Sequence, residues 1–181
     1  MEQNNSNFLL YKLKRAFTII EFLIVFGIIG IITTLSIASY NAFTESFKLK
    51  NEVQNAIAVL SVAQKRSVAG EDVSGDCPGG TFDSFVVSFA VNAGYSMQGQ
   101  CINGAGTKTA YGRPVTYKIE ASNKNIEILD TVTVTFSKLT GEPDSPKTIR
   151  FENSVKDECM QINIAATGLI SSIEIDCPVG P

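Results

Sequence analysis

The stretch Phe17-Thr18-Ile19-Ile20-Glu21-Phe22-Leu23-Ile24-Val25-Phe26-Gly27-Ile28-Ile29-Gly30-Ile31-Ile32 decides how this chain of 181 residues is read. Between Phe17 and Thr44 the only charged side chain is Glu21. Together with Leu35 to Phe43 the run covers about 20 helical residues, the length at which a rise of 1.5 Å per residue matches a hydrocarbon core of ~30 Å. Ahead of it stand Lys12, Lys14 and Arg15, opposed only by Glu2. The positive-inside rule then holds the N-terminus in the cytoplasm and carries everything after about residue 40 across the bilayer. The expectation is a single-pass membrane protein with an extracytoplasmic C-terminal domain.

Residues 45–69 contain neither Gly nor Pro, and Phe43, Phe47, Val53, Ile57, Leu60 and Gln64 recur at three-to-four spacing. That pattern predicts an amphipathic continuation of the same helix. Gly70 ends it, with Lys65 and Arg66 in the last turns, where they favour the helix dipole. Strand signals follow over residues 82–91, 95–101, 114–121, 126–129, 131–139, 148–151, 159–165 and 169–176. Residues 131–137, Thr-Val-Thr-Val-Thr-Phe-Ser, alternate strictly, so Val132, Val134 and Phe136 face inward. Met160, Ile162 and Ile164 repeat the alternation, and Ala166-Thr167-Gly168 reads as a hairpin turn into the last strand. Asn103 to Pro114 reads as a longer surface loop.

Composition removes several functions. The chain has no His, so the usual imidazole base or ligand of hydrolytic and metal sites is missing. An enzyme is not expected, and no cofactor or metal is called for. The formal net charge of −3 offers no footprint for a phosphate backbone, so no direct nucleic-acid binding is expected. Glu71, Asp72 and Asp76 depart from the alternating ligands of a calcium loop and read as a solvated loop. Four cysteines beyond a membrane are most simply two disulfides. Cys77 with Cys101 and Cys159 with Cys177 is the expected pairing, because each encloses a short segment; three connectivities are open in principle.

A carboxylate inside an apolar run is costly on insertion scales, about 2.5–3.5 kcal/mol, and an ordinary secretory signal has no use for one. The segment Lys14-Arg15-Ala16-Phe17-Thr18-Ile19-Ile20-Glu21-Phe22-Leu23-Ile24-Val25 closely resembles the leader and helix start of type IV pilins and type II secretion pseudopilins. The resemblance implies cleavage between Ala16 and Phe17 by a prepilin peptidase and N-methylation of Phe17. It also implies an assembly role for Glu21, whose carboxylate meets the new amine of a neighbouring subunit. Ala16 stands where the family has Gly, and Ala38 where many members have a kinking Pro. Gly27 and Gly30 are candidates for close helix packing. The tail around Phe136, Thr140-Gly-Glu-Pro143, Thr148 to Phe151 and Ile162 to Ile170 is similar to the minor pilins and H-type pseudopilins, the GspH/FimT group.

The expectation that results is an α+β, pilin-like chain. Residues 1–16 are the leader, and 17–69 a long N-terminal helix with about 17–43 transmembrane or in a filament core. Residues 70–181 are an extracytoplasmic, largely antiparallel β-sheet domain. The chain would be a minor pilin or pseudopilin of a type IV pilus or type II secretion pseudopilus. Its partners would be the prepilin peptidase, other pilin or pseudopilin subunits, the assembly machinery and inner-membrane lipid. The alternative is a membrane-anchored or secreted binding domain in which residues 1–38, with the small-x-small site Ser36-Ile37-Ala38, serve only as an export signal.

Overall fold

A computed structural model describes residues 18–70, 77, 80–91, 93–119 and 123–178, apart from the side chains of 34–42. The leader with Ala16 and Phe17, and the loop acids Glu71, Asp72 and Asp76, lie outside the described residues. The described chain is one helix, α1 (Ile19–Ala69), followed by eight strands: β1 (Gly80–Ala90), β2 (Gly94–Asn103), β3 (Lys108–Tyr117), β4 (Ile126–Ile128), β5 (Val132–Ser137), β6 (Lys147–Asn153), β7 (Glu158–Ile164) and β8 (Ile170–Ile175). Two compact units divide it, one up to Tyr40 and one from Asn41 onward.

The membrane-spanning half expected of a pilin-like α+β fold is corrected. Among the described residues no helix is long and apolar enough to cross a membrane. With 51 residues α1 has the length. Its described apolar stretch, Ile19 to Ile32, carries the charged Glu21 in its first turn. From Glu45 onward the helix is amphipathic and charged. The expected localisation as a single-pass membrane protein, with its N-terminus in the cytoplasm, is corrected on the same finding.

The β-rich unit is also not one sheet. It is two four-stranded antiparallel sheets, ordered β3-β2-β1-β5 and β4-β6-β7-β8. Both turn their apolar faces to the second half of α1. Phe85, Val87, Phe89, Met97, Val134 and Phe136 come from the first sheet, and Ile128, Ile149, Phe151, Met160, Ile162 and Ile164 from the second. The helix answers with Leu49, Val53, Ala56, Leu60, Ala63 and Ser67, all buried and spaced by four, three, four, three and four. Ala56 and Ala63 leave room for two sheets to approach one stripe. Phe43 and Phe47, expected on this face, are instead 62% and 56% exposed. Neither lies three or four residues from Leu49, which fixes the phase of the buried stripe.

Polar side chains fasten the helix to each sheet. The buried Ser67 Oγ donates to the Phe136 carbonyl at 3.0 Å and accepts from the Phe85 amide at 3.3 Å. Asn153 Nδ2 donates to the Glu45 carbonyl at 3.0 Å, tying β6 to the helix. Gln64 Nε2 reaches two strand connections, donating to the Gly141 carbonyl between β5 and β6 at 3.1 Å and to that of Gly168 between β7 and β8 at 2.9 Å. Both glycines have positive φ, 66° and 80°, and a Cβ at Gly168 would run into the Gln64 amide. The positive φ favours glycine at both positions, and a Cβ at either would also displace a helix side chain.

The expected surface loop from Asn103 to Pro114 is shorter than the sequence implies. Asn103 Oδ1 accepts from the amides of Ala105 and Thr107 at 3.0 and 2.8 Å, a side-chain-closed turn that lets β3 begin at Lys108. Of the three open connectivities, the disulfides are Cys77–Cys101 and Cys159–Cys177, with Cα separations of 5.7 and 5.1 Å. The second ties β7 to the end of the chain just beyond β8.

Candidate functional site

The first unit carries the residues that the sequence singled out. Thr18 opens α1 as its N-cap: its Oγ1 accepts from the Glu21 amide at 3.3 Å, and its carbonyl from the Phe22 amide at 3.2 Å. Thr18-x-x-Glu21 ahead of an apolar run is the sequence signature of a capping box, which places Glu21 in the electropositive first turn. Sequence reasoning passed over that signal. The bond observed uses the Glu21 backbone amide, so the cap is made by the Thr18 side chain.

After the cap the helix is apolar on every side. Ile19, Ile20, Phe22 to Phe26, Ile28, Ile29, Ile31 and Ile32 are between 46% and 84% exposed. A helix apolar all round normally lies buried in its surroundings. Phe22 and Phe26 touch edge to face with centroids 4.7 Å apart, one turn of helix. Gly27 and Gly30 are exposed on this surface, with no atom within 4 Å of where a Cβ would stand. Among the described residues nothing packs against them.

The described residues of the second unit form several surface concavities, among them two beside the edge strands. One, of about 480 Å³, lies between Ser46, Leu49 and Lys50 of α1 and the ends of β7 and β8. Its rim holds Asp157, Glu158, Glu174 and Asp176. Lys50 pairs with Glu174 at 2.8 Å, which raises the lysine's pKa and lowers that of the carboxyl. Close by, Glu152, Asp157 and Cys177 cluster tightly enough to be weighed as metal ligands. The Cys177 sulfur is bonded to Cys159, so no thiolate is available and two carboxylates remain. The other concavity, of about 130 Å³, sits under β3 and is lined by Phe82, Phe85, Met97, Val115, Arg66 and Arg113 among others.

Titratable groups elsewhere have structural work. Arg150 grips Asp130 through Nε at 2.9 Å, a terminal nitrogen at 2.6 Å and its backbone amide at 3.0 Å, which holds the Asp130 carboxyl below the usual range. The buried Tyr95 hydroxyl donates to Glu52 Oε1 at 3.3 Å; burial first, and the neighbouring carboxylate second, push its pKa up. Asn123 Nδ2 contacts the other Glu52 oxygen at 3.4 Å. Tyr95 stacks between Phe89 and Tyr117. These groups brace the core, and Asn123 also lines a concavity beside Thr44 and Phe47.

Glu21, Gly27 and Gly30 thus lie on the apolar helical stretch of the first unit, and the cysteines belong to the second. Comparison with family models, with curated proteins and with solved structures finds no match for this chain.

Proposed function

We propose that the chain is a structural subunit, a minor pilin or pseudopilin, of a type IV pilus or type II secretion pseudopilus. A prepilin peptidase releases residues 1–16 and methylates Phe17, and the subunit joins its neighbours through the apolar helix that starts after Thr18. The observation that carries this reading is the exposure of the apolar side chains from Ile19 to Ile32 around the whole helix. Removing such a surface from water stabilises an assembly by roughly 25 cal/mol per Å². Like helices from other subunits offer the matching surface, and Gly27 and Gly30 let backbones approach. The prepilin-like segment around Ala16 and Phe17 supports the same reading. Loss of the leader changes the formal charge from −3 to −5, because Lys12, Lys14, Arg15 and Glu2 leave with it.

Mass spectrometry of the native N-terminus tests the proposal. A chain that begins at Phe17 with one added methyl group supports it; a chain that begins near residue 39 supports an exported binding domain instead. Glu21→Gln removes the charge and keeps a residue type that suits this position of a helix start. The helix start should survive the change while fibre incorporation is lost, read as subunit recovered from sheared filaments. Normal incorporation would remove the charge from the mechanism.

A further inference from the structure

The concavity under β3 owes its space to two neighbouring departures from a regular sheet. Gly99 stands in register between Phe85 and Tyr111, and the nearest atoms to a Cβ there would be the Phe82 and Phe85 rings at 3.8 Å and the Tyr111 carbonyl at 3.9 Å. Between Tyr111 and Val115, β3 then carries Gly112, Arg113 and Pro114 opposite the single residue Gln98 of β2. Gln98 fixes this bulge, its Nε2 donating to the Gly112 carbonyl at 2.8 Å. A missing side chain and a displaced strand thus leave about 130 Å³ over a floor of buried Phe82, Phe85 and Met97, with the half-exposed Val115 as one wall. An apolar cavity of about 150 Å³ admits one benzene ring, so this space suits a ring or a branched chain of roughly five or six carbons.

The charges around it are of one sign. Arg113, exposed, and Arg66, from the last turn of α1, line the concavity, and among its described lining residues there is no Asp or Glu. The one acid of β1, Asp83, is engaged by Lys108 at 2.8 Å. An apolar floor beside a guanidinium matches a ligand with an apolar body and one carboxylate. The strand itself argues against a polypeptide laid along it. As an edge strand β3 carries Pro114, which has no amide to donate, a bulge that breaks the ladder, and the charges of Lys108 and Arg113. Each of these keeps another strand from pairing with an edge, whereas a small molecule has no need of one.

We propose that the concavity under β3 binds a small monocarboxylic acid, with its branched aliphatic or aromatic body beside Gly99 and its carboxylate paired with Arg113. All the residues that form the site belong to the second unit. The inference therefore stands or falls independently of how the N-terminus is processed.

Methyl-labelled full chain in a non-ionic detergent, titrated with isocaproate at neutral pH, tests it. The Val115 and Met97 methyl signals should shift and saturate at about 1 mM or below, while those of Ile28 and Ile29 stay in place, which distinguishes the pocket from the micelle. The neutral analogue isocaproamide should bind about tenfold more weakly. Arg113→Gln should weaken isocaproate binding about tenfold and leave the amide unchanged, a difference that a folding defect would not produce. Gly99→Val fills the space and should abolish binding of both. Methyl signals that do not move up to the solubility limit, equal binding of acid and amide, or wild-type binding by Gly99→Val would each overturn the proposal. So would a short peptide with a C-terminal leucine that binds more tightly than the free acid, since the occupant would then be a polypeptide end.

Discussion

The helix before Tyr40 and the unit after Asn41 contrast in what their apolar residues touch. In the first, isoleucines and phenylalanines occupy every side of the helix and remain exposed. In the second, the apolar positions of the same helix shrink to one stripe, and that stripe is fully covered by two sheets. Apolar residues alone therefore do not make a core. A stripe can be closed by the chain's own strands, whereas a surface apolar in all directions needs several neighbours at once, and one chain folding back cannot supply them.

The sharpest way to break this comparison is to truncate one side chain in each unit. Leu60→Ala removes a fully buried group between both sheets and should lower the unfolding free energy by about 2–5 kcal/mol. Ile28→Ala should change it by less than about 0.5 kcal/mol. Denaturant titration followed by circular dichroism measures both, and equal losses would erase the distinction between the units. A second, smaller effect tests whether polar fastening matters beside apolar contact. Gly168→Ala forces a side chain into a left-handed turn and against the Gln64 amide, and should cost about 1–2 kcal/mol. Adding Gln64→Ala should cost less than the two single changes summed, since the clash then disappears.

The smallest expected effect concerns pH. The folded pKa of Asp130 lies below its unfolded value of about 3.9, so the stabilisation is present above that value and lost as pH falls through the lower folded one. Between pH 6 and pH 2, Asp130→Asn should therefore lose less stability than the wild type. Partial exposure of Arg150 limits the difference to about 1 kcal/mol. Thermal unfolding at several pH values measures it, and parallel curves for the two proteins would show that the pair contributes nothing.

Much of the strand arrangement was legible because alternation is a local property. Val134 and Phe136, and Met160, Ile162 and Ile164, face inward as their period of two requires, and Gly168 turns the last hairpin. The turn after Asn103 was not legible, because its closure depends on one carboxamide reaching two amides. In the candidate site, Glu21 was visible as an isolated charge in an apolar run, while its cap with Thr18 was written in the residues and overlooked. The phase of the helix stripe was misjudged at Phe43 and Phe47. A three-to-four spacing tolerates drift over six turns, and only the sheets fix where the stripe begins.

By itself the sequence determined that one long apolar-then-amphipathic helix precedes a disulfide-bearing β region, because helix and strand periods and the absence of Gly and Pro from residues 45–69 act over short distances. The tertiary structure alone decided that the strands divide into two sheets around one stripe, and that Ser67, Gln64 and Asn153 hold them there. It also decided that Gly99 leaves a pocket beside Arg113. Those outcomes depend on contacts between residues far apart in the chain, where the geometry of packing and not local preference selects the partner.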